Sequence, residues 1–168
     1  MKSKIGSIII ISISFIIMVF LIVFGLTRKH EEEIYIPAYI YPRIEMKVND
    51  YTLYIRLDNN TSANEFYKKV KENETLTITF SDYGGFEKVG DLGFDLTTND
   101  TTIKTEINDV MLYQGNKIVL FYGQNTYSYT RLGKIINNTG VDLKTILSGD
   151  NITITLKLES LNILFGLE

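Results

Sequence analysis

Hydrophobic and polar residues follow two different patterns along the 168-residue chain. Residues 5–27 form one continuous apolar run that contains no charged side chain. Beyond residue 43, apolar positions instead alternate with polar ones in short stretches that are separated by turn residues. An unbroken apolar run is typical of a membrane-spanning helix, and alternation is typical of strands with one buried face. The pattern therefore predicts an apolar N-terminal segment followed by a β-rich domain.

The alternating stretches predict a series of strands. In the second of them, Tyr51, Leu53, Ile55 and Leu57 occupy one face of the strand, because successive side chains point to opposite sides. The segment Gln114-Gly115-Asn116 separates two such stretches and is typical of a hairpin turn. The predicted strands cover residues 44–48, 51–58, 76–80, 110–113, 118–122 and 151–158.

Two short helices and a long loop complete the predicted domain. Thr61 or Ser62 is expected to cap a helix over residues 63–71, and a second short helix is expected over 141–147. Residues 81–100 contain four glycines and predict a long ordered loop. Many strands, one or two short helices and glycine-marked turns predict a mainly β fold, a small closed or nearly closed β-barrel.

The N-terminal apolar run predicts a single transmembrane helix. At 1.5 Å per residue a helix over residues 5–27 would be about 34 Å long, which is enough to cross a hydrocarbon core of about 30 Å. A cleaved secretion signal is the main alternative, although its apolar region is usually only about 7–15 residues long, and a buried helix of a soluble protein is a further one. We therefore expect an anchor over 1–29, a linker over 30–43, a barrel domain over 44–159 and a tail over 160–168.

Location and lipid contact follow from this anchor. Lys2 and Lys4 precede the apolar run, and Arg28 and Lys29 follow it. The positive charge on the two sides is therefore nearly equal and does not decide the orientation. A short N-terminal tail most simply stays in the cytoplasm. We therefore predict a single-pass protein of the cell membrane that contacts lipid through residues 5–27 and carries its domain on the extracytoplasmic side. The sequence leaves the oligomeric state open.

Charge and composition exclude several functions. All 20 acidic residues lie at or beyond Glu31, whereas only 13 of the 17 basic residues do, so residues 30–168 carry a net charge of −7. An acidic domain is a poor partner for nucleic acid. The chain has no cysteine, and its one histidine, His30, precedes the domain. These absences argue against thiolate or histidine metal sites and against cysteine or histidine catalysis. We expect no metal, no cofactor and no catalytic residue.

The segment over residues 108–135 resembles the signature of the bacterial cyclophilin-like domain family. Met111-Leu112-Tyr113, Gly115-Asn116 and Val119–Tyr122 occur there in the family's order, and the YSYTRLG sequence follows at 127–133. Weaker matches lie upstream at Asn59–Ala63, at Gly85–Leu92, where Val89 replaces the usual aromatic residue, and at Thr98-Asn99-Asp100. The resemblance covers residues 44–159 and implies a small barrel similar to cyclophilin.

The resemblance does not carry cyclophilin chemistry with it. Cyclophilin isomerises prolyl bonds with an arginine beside an aromatic-lined groove, surrounded by Gln, Trp and His. This domain contains neither Trp nor His, and Arg56 and Arg131 lack the flanking motif of that arginine. We therefore predict a non-catalytic binding module for a peptide or a small molecule. A peptidyl-prolyl isomerase is the alternative, and a structural partner of another membrane protein is a further one.

Arg131 stands out among the candidate ligand-binding residues. An arginine framed by tyrosines can grip a carboxylate or carbonyl group. It can equally form an ion pair with Glu87 or Asp91 across the barrel. The remaining candidates for ligand binding are Tyr129, Tyr127, Glu87, Tyr122, Phe121 and Asn99.

These remaining candidates each have a structural alternative. Glu87 and Lys88 are expected to face opposite sides of a strand, where one lines a cleft or both form a solvated surface pair. Alternation likewise sends Phe121 and Tyr122 to opposite faces, one filling the barrel and the other available to a ligand. Asn99 either contacts a ligand or bonds its own backbone in an Asx turn.

Overall fold

The computed structural model describes residues 43–159. The predicted anchor, the linker apart from Arg43, and the predicted tail lie outside the described residues. Within residues 43–159, no helix is both long enough and apolar enough to cross a lipid bilayer.

The described segment forms nine strands and two helices in the order β1-β2-α1-β3-β4-β5-β6-β7-β8-α2-β9. The strands are β1 (Ile44–Val48), β2 (Tyr51–Leu57), β3 (Leu76–Tyr83), β4 (Glu87–Asp91), β5 (Thr101–Lys104), β6 (Asp109–Tyr113), β7 (Lys117–Phe121), β8 (Thr126–Ile136) and β9 (Asn151–Leu158). The helices are α1 (Thr61–Asn73) and α2 (Leu143–Ile146).

Eight of the strands close into a barrel. They pair in the order β2-β1-β9-β3-β4-β7-β6-β8, and a further pairing between β8 and β2 completes the ring. All of these neighbours are antiparallel, and β5 pairs with the first residues of β8 as an additional strand. The prediction of a mainly β, closed barrel is confirmed. Closure removes the unpaired strand edges that favour aggregation.

The barrel interior holds the main hydrophobic core. Seven of the nine strands and both helices contribute fully buried side chains to it. In β2 the predicted face is confirmed, because Leu53 and Ile55 are buried whereas Thr52 and Arg56 are exposed. Burying one such large aliphatic or aromatic side chain contributes about 1.5–3 kcal/mol, so this core is the main source of stability.

The N-terminus of α1 differs from the prediction. The helix begins at Thr61 and its cap is Asn60, whose Oδ1 accepts a hydrogen bond from the Ala63 backbone N–H at 2.9 Å. Asn60 also donates from Nδ2 to the Arg131 carbonyl oxygen at 3.0 Å. Asn60 therefore satisfies a free backbone donor of the helix and also connects α1 to β8. The shorter side chain of threonine or serine cannot make both contacts at once.

The prediction of a loop over residues 81–100 is wrong for residues 81–91. β3 continues to Tyr83, and β4 follows after a tight turn in which Gly84 and Gly85 have φ values of +63° and +71°. These glycines form a hairpin turn, and only residues 92–100 are loop. The sequence pattern did not predict β4 because of Gly90. It faces the core where a Cβ atom would lie 2.6 Å from Ile78 Cγ2, so an apolar side chain is missing from the alternation.

Candidate functional site

A second, smaller apolar cluster lies on the outer face of the barrel. Strand alternation turns Met111, Val119, Phe121 and Tyr129 away from the main core, and they pack together with partly buried neighbours on β4, β5 and β6. Their sequence neighbours Leu112 and Leu120 point into the barrel instead. The sheet formed by β4, β7, β6 and β8 is therefore buried on both faces.

This outer cluster borders a cavity of about 360 Å³, which we call the tyrosine cavity. Its size lies at the lower end of the range for small-molecule sites. Two of its side chains reach well into solvent, since Tyr83 is 64% and Tyr127 is 54% exposed. None of its lining residues is basic. The cavity is lined by Tyr83, Glu87, Val89, Tyr113, Asn125, Tyr127 and Tyr129.

Three of the tyrosines form a triangle. The ring centroids of Tyr113, Tyr127 and Tyr129 lie 5.9–6.0 Å apart in every pair, and the ring planes are inclined to one another by 62–68°. Edge-to-face contacts of this kind are favourable and stiffen a cluster. Because the rings are mutually inclined, they present aromatic surface to the cavity in several directions.

A directed chain of hydrogen bonds runs through the cavity from Asn125 to Tyr129 to Glu87. The side-chain oxygen of Asn125 accepts from the Thr126 backbone N–H at 2.7 Å, which turns the amide nitrogen toward the Tyr129 hydroxyl at 3.1 Å. That hydroxyl then donates to Glu87 Oε2 at 3.3 Å. The chain fixes Glu87 as an acceptor and leaves its carboxyl group beside the three rings.

Burial sets the electrostatics of Glu87. The residue is only 5% exposed, and no arginine or lysine lies among the lining residues of the cavity. Burial raises the pKa of Glu87 to about 7, while the hydrogen bond from Tyr129 acts in the lowering direction. The same burial, with the Glu87 charge nearby, raises the pKa of Tyr129 to about 12. Glu87 is therefore poised to gain or lose a proton near neutral pH.

Two close backbone contacts hold the elements of the cavity together. The backbone N–H groups of Tyr122 and Gly123 both donate to the Phe86 carbonyl oxygen, at 3.0 and 2.9 Å. Gly123 is required there, because a Cβ atom would lie 2.7 Å from Phe86 Cβ. The β3–β4 turn, which precedes Glu87, is thereby fixed against the β7–β8 connection, which carries Asn125.

The structure brings together four of the candidate residues predicted from sequence. Glu87, Tyr127 and Tyr129 line the cavity, and Phe121 supports it from below through a ring contact of 5.4 Å with Tyr129. Sequence reasoning missed Tyr83, Val89, Tyr113 and Asn125. Alternation from Met111 could have placed Tyr113 on the same face. No local signal marks Asn125, since its role depends on the fold.

Arg131 is not part of this cavity, and its predicted pairing with Glu87 or Asp91 is wrong. Its guanidinium group pairs with Asp58 at 3.1 Å and with Asp109 at 3.4 Å. The strand order explains the difference, because β8 neighbours β6, which carries Asp109, and β2, which ends just before Asp58. Glu87 and Asp91 lie on β4, which is not adjacent to β8.

Tyr122 and Lys88 belong to the interior side of the barrel. The Tyr122 hydroxyl donates to Asp82, and the buried Lys88 ammonium bonds both Asp82, at 2.9 Å, and the Gly149 carbonyl oxygen. Burial, followed by the contact with Asp82, raises the pKa of Tyr122. Glu87 and Lys88 thus face opposite sides as predicted, but neither is a solvated surface residue. These interior groups line a second, more open cavity of about 540 Å³.

Asn99 lies apart from both cavities. Its backbone N–H donates to Thr130 Oγ1 at 2.7 Å, and that hydroxyl donates to Asp100 Oδ1 at 2.5 Å. The turn is therefore fastened to β8. Within residues 43–159, no cluster of His, Cys, Asp and Glu side chains is suited to a metal ion.

Comparisons with known proteins agree with this architecture. Comparison with curated proteins gave no significant match. A hypothetical protein from Archaeoglobus fulgidus, whose structure was solved in solution, superposes with a TM-score of 0.53 at 15% identity, over 70% of this chain and 95% of the other. At that identity the likeness concerns the fold alone. A sequence model of the cyclophilin-like family matches residues 46–157, and the chain therefore belongs to the cyclophilin-like family.

Proposed function

We propose that this domain is a non-catalytic binding module whose ligand, a small molecule or a peptide side chain, occupies the tyrosine cavity. The observation that carries the proposal is the convergence of four tyrosines, one buried carboxyl group and one amide on a single cavity. Binding sites commonly combine aromatic walls with a few fixed polar groups. Here the hydrogen-bond chain through Asn125 and Tyr129 provides the fixed polar groups.

The lining of the cavity favours binding over prolyl isomerisation. The isomerase alternative calls for an arginine beside an aromatic groove, and the lining residues include no cation. Arg131 is held by two carboxylates outside the cavity. We expect a protease-coupled assay on a proline peptide to give the uncatalysed rate even at high protein concentration. A protein-dependent acceleration that is lost in Arg131→Met would contradict this expectation and support the isomerase.

The exposed aromatic surface bears on the structural-partner alternative. Tyr83 and Tyr127 are two of the three large hydrophobic side chains that are exposed within residues 43–159, and both line the cavity. Aromatic exposure is therefore concentrated at the cavity mouth. This concentration favours a discrete ligand over a broad apolar docking face.

Ligand-observed NMR on the full-length chain tests the proposal. A library of small polar compounds and short peptides is screened against three proteins: the wild type, Tyr127→Leu, and the control Tyr54→Leu. Tyr54 is a half-buried tyrosine of β2 that does not line the cavity. We expect at least one ligand whose signal is lost in Tyr127→Leu and retained in Tyr54→Leu. A screen in which every signal survives Tyr127→Leu overturns the proposal.

We also propose that residues 5–27 anchor the domain to the cell membrane, with the barrel on the extracytoplasmic side. The length of the uncharged run supports this proposal. Carbonate extraction of membranes should leave the protein in the pellet, and protease added to intact cells should digest the barrel. Recovery of a shortened chain in the medium would instead support a cleaved signal, and protection from external protease would reverse the orientation.

A further inference from the structure

We propose that the tyrosine cavity binds an organic ammonium group, and that Glu87 supplies the opposing charge. This inference rests on the proposed function and names its ligand class. Primary amines, methylated amines and lysine side chains share the required chemistry. The proposal follows from the type, the arrangement and the charge of the groups that line the cavity.

The aromatic walls are suited to a cation. A ring attracts a positive charge placed over its face because the π-electron cloud is negative there, and the attraction grows as water is excluded. Tyr113, Tyr127 and Tyr129 are mutually inclined by 62–68° and all line one cavity. Inclined rings can contact one rounded ammonium group from several sides, whereas parallel rings would offer a slot for a flat ligand.

Glu87 gives the cavity a negative charge when it is ionised. It is the only ionisable carboxyl group among the lining residues, and they include no lysine, arginine or histidine to neutralise it. The sole hydrogen bond to its side chain within residues 43–159 comes from Tyr129, a neutral donor. A carboxylate that is buried without a cationic partner is costly, and an incoming ammonium group would remove that cost.

An anionic ligand is disfavoured by the same groups. A carboxylate or phosphate would approach Glu87 and the negative faces of the rings with no basic side chain among the lining residues to offset the repulsion. The surrounding charge acts in the same direction, because residues 30–168 carry 20 acidic and 13 basic side chains. A neutral apolar ligand would desolvate the Glu87 carboxyl group without supplying an opposing charge.

Size and access also fit a small cationic group. A volume of about 360 Å³ accommodates an ammonium group with a short chain. Tyr83 and Tyr127 stand at the opening and are largely exposed, so the ligand can extend into solvent beyond them. A peptide lysine and a free amine are therefore both compatible with the cavity.

Three matched compounds test the inference by calorimetry on the full-length protein. Choline carries the cation, dimethylbutanol is its neutral carbon isostere, and dimethylbutyrate is a related anion. We expect choline to bind at least about tenfold more tightly than either of the others, equivalent to about 1.4 kcal/mol. Equal affinities, preference for the anion, or no binding of choline would overturn the inference.

Three variants show where the cation binds. Glu87→Gln removes the charge and Tyr127→Leu removes one wall, so each should weaken choline binding at least about fivefold, whereas Tyr54→Leu should leave it unchanged. Unchanged binding in both cavity variants would contradict the proposed site. An acetylated and amidated lysine, measured beside butylamine, a free primary amine with the same four-carbon chain, distinguishes a peptide source from a free amine.

The outcomes also separate the inference from the proposed function. Binding of dimethylbutanol or dimethylbutyrate that is lost in Tyr127→Leu would contradict the cation and support the cavity. If none of the three compounds binds and the library screen shows no Tyr127-dependent ligand, both proposals fail.

Discussion

The hydroxyl group of Tyr129 lies 3.3 Å from Oε2 of Glu87, although their strands, β8 and β4, are separated in the sheet by β6 and β7. The long tyrosine side chain crosses the outer face of the barrel to reach the carboxyl group. Asn125, in the β7–β8 connection, donates to the same hydroxyl at 3.1 Å. One phenol therefore links three elements of the cavity.

Tyr129→Phe should destabilise the domain by about 1–2 kcal/mol. The variant keeps the ring but removes the acceptor for Asn125 and the donor to Glu87, and unsatisfied buried polar groups carry a cost of this size. Because the lost hydrogen bond lowers the pKa of Glu87, that pKa should rise further. Urea unfolding measures the stability change, and carbon-detected NMR titration measures the pKa. A pKa that falls or stays at the wild-type value would contradict the assigned direction of this hydrogen bond.

Glu87→Gln should change how stability depends on pH. The pKa of Glu87 is about 7 in the folded protein and lies near 4.5 when the chain is unfolded, so between these values the folded state binds more protons. The wild type should therefore lose stability as pH rises from about 4.5 through 7, by at most about 3 kcal/mol. The titratable groups that line the cavity with Glu87 are four tyrosines, of which Tyr113 and Tyr129 have raised pKa values.

Chemical denaturation at several pH values checks this dependence. Glu87→Gln should lack the decline, because glutamine does not titrate, whereas the exposed control Glu72→Gln should keep it. A decline of equal size in wild type and Glu87→Gln would show that another group is responsible.

Gly133→Ala should destabilise the barrel by about 3 kcal/mol. A Cβ atom at this position of β8 would overlap the Arg56 carbonyl oxygen on β2, at the pairing that closes the ring. The backbone would have to shift, which costs more than moving a side chain. Gly93→Ala is the comparison, because its Cβ meets no atom within 4 Å and only its φ of +77° opposes the change. Equal losses in the two variants would contradict the closure role of Gly133.

Arg131→Met should lower stability by about 1 kcal/mol and leave choline binding unchanged. The guanidinium group is partly exposed and joins Asp58 to Asp109, so its loss leaves the buried Asp109 with Lys134 as its remaining cation. Thermal unfolding and calorimetry measure the two effects. If Arg131→Met weakened choline binding by as much as Glu87→Gln, Arg131 would belong to the ligand site.

Most strands of the barrel and three of the seven residues that line the cavity could be predicted from the sequence. Strict alternation marked β1, β2 and β9, and the QGN turn marked the β6–β7 hairpin. β4 was missed because Gly90 makes room for Ile78 and Phe80 and so interrupts the apolar pattern. β5 is short, with a mostly exposed sequence, and its pairing with β8 is long-range.

Among the cavity residues, Glu87, Tyr127 and Tyr129 were found from sequence, whereas Tyr113 was missed although it lies within the family signature. Asn125 was not found, because its amide is oriented by the backbone N–H of Thr126 and its backbone by Thr105, contacts that exist only in the folded chain. Arg131 was a candidate for ligand binding or for an ion pair with Glu87 or Asp91, because the sequence shows its tyrosine neighbours but not the strand order that brings Asp58 and Asp109 to it.

Calorimetric titration of choline at pH 6 and pH 8 tests the central claim most directly. If Glu87 must be ionised to hold an ammonium group and its pKa is about 7, the ionised fraction rises from about one tenth to about nine tenths between these pH values. The account predicts that binding is about tenfold tighter at pH 8 in the wild type and independent of pH in Glu87→Gln. Equal affinity at both pH values in the wild type, or the same pH dependence in both proteins, would contradict it.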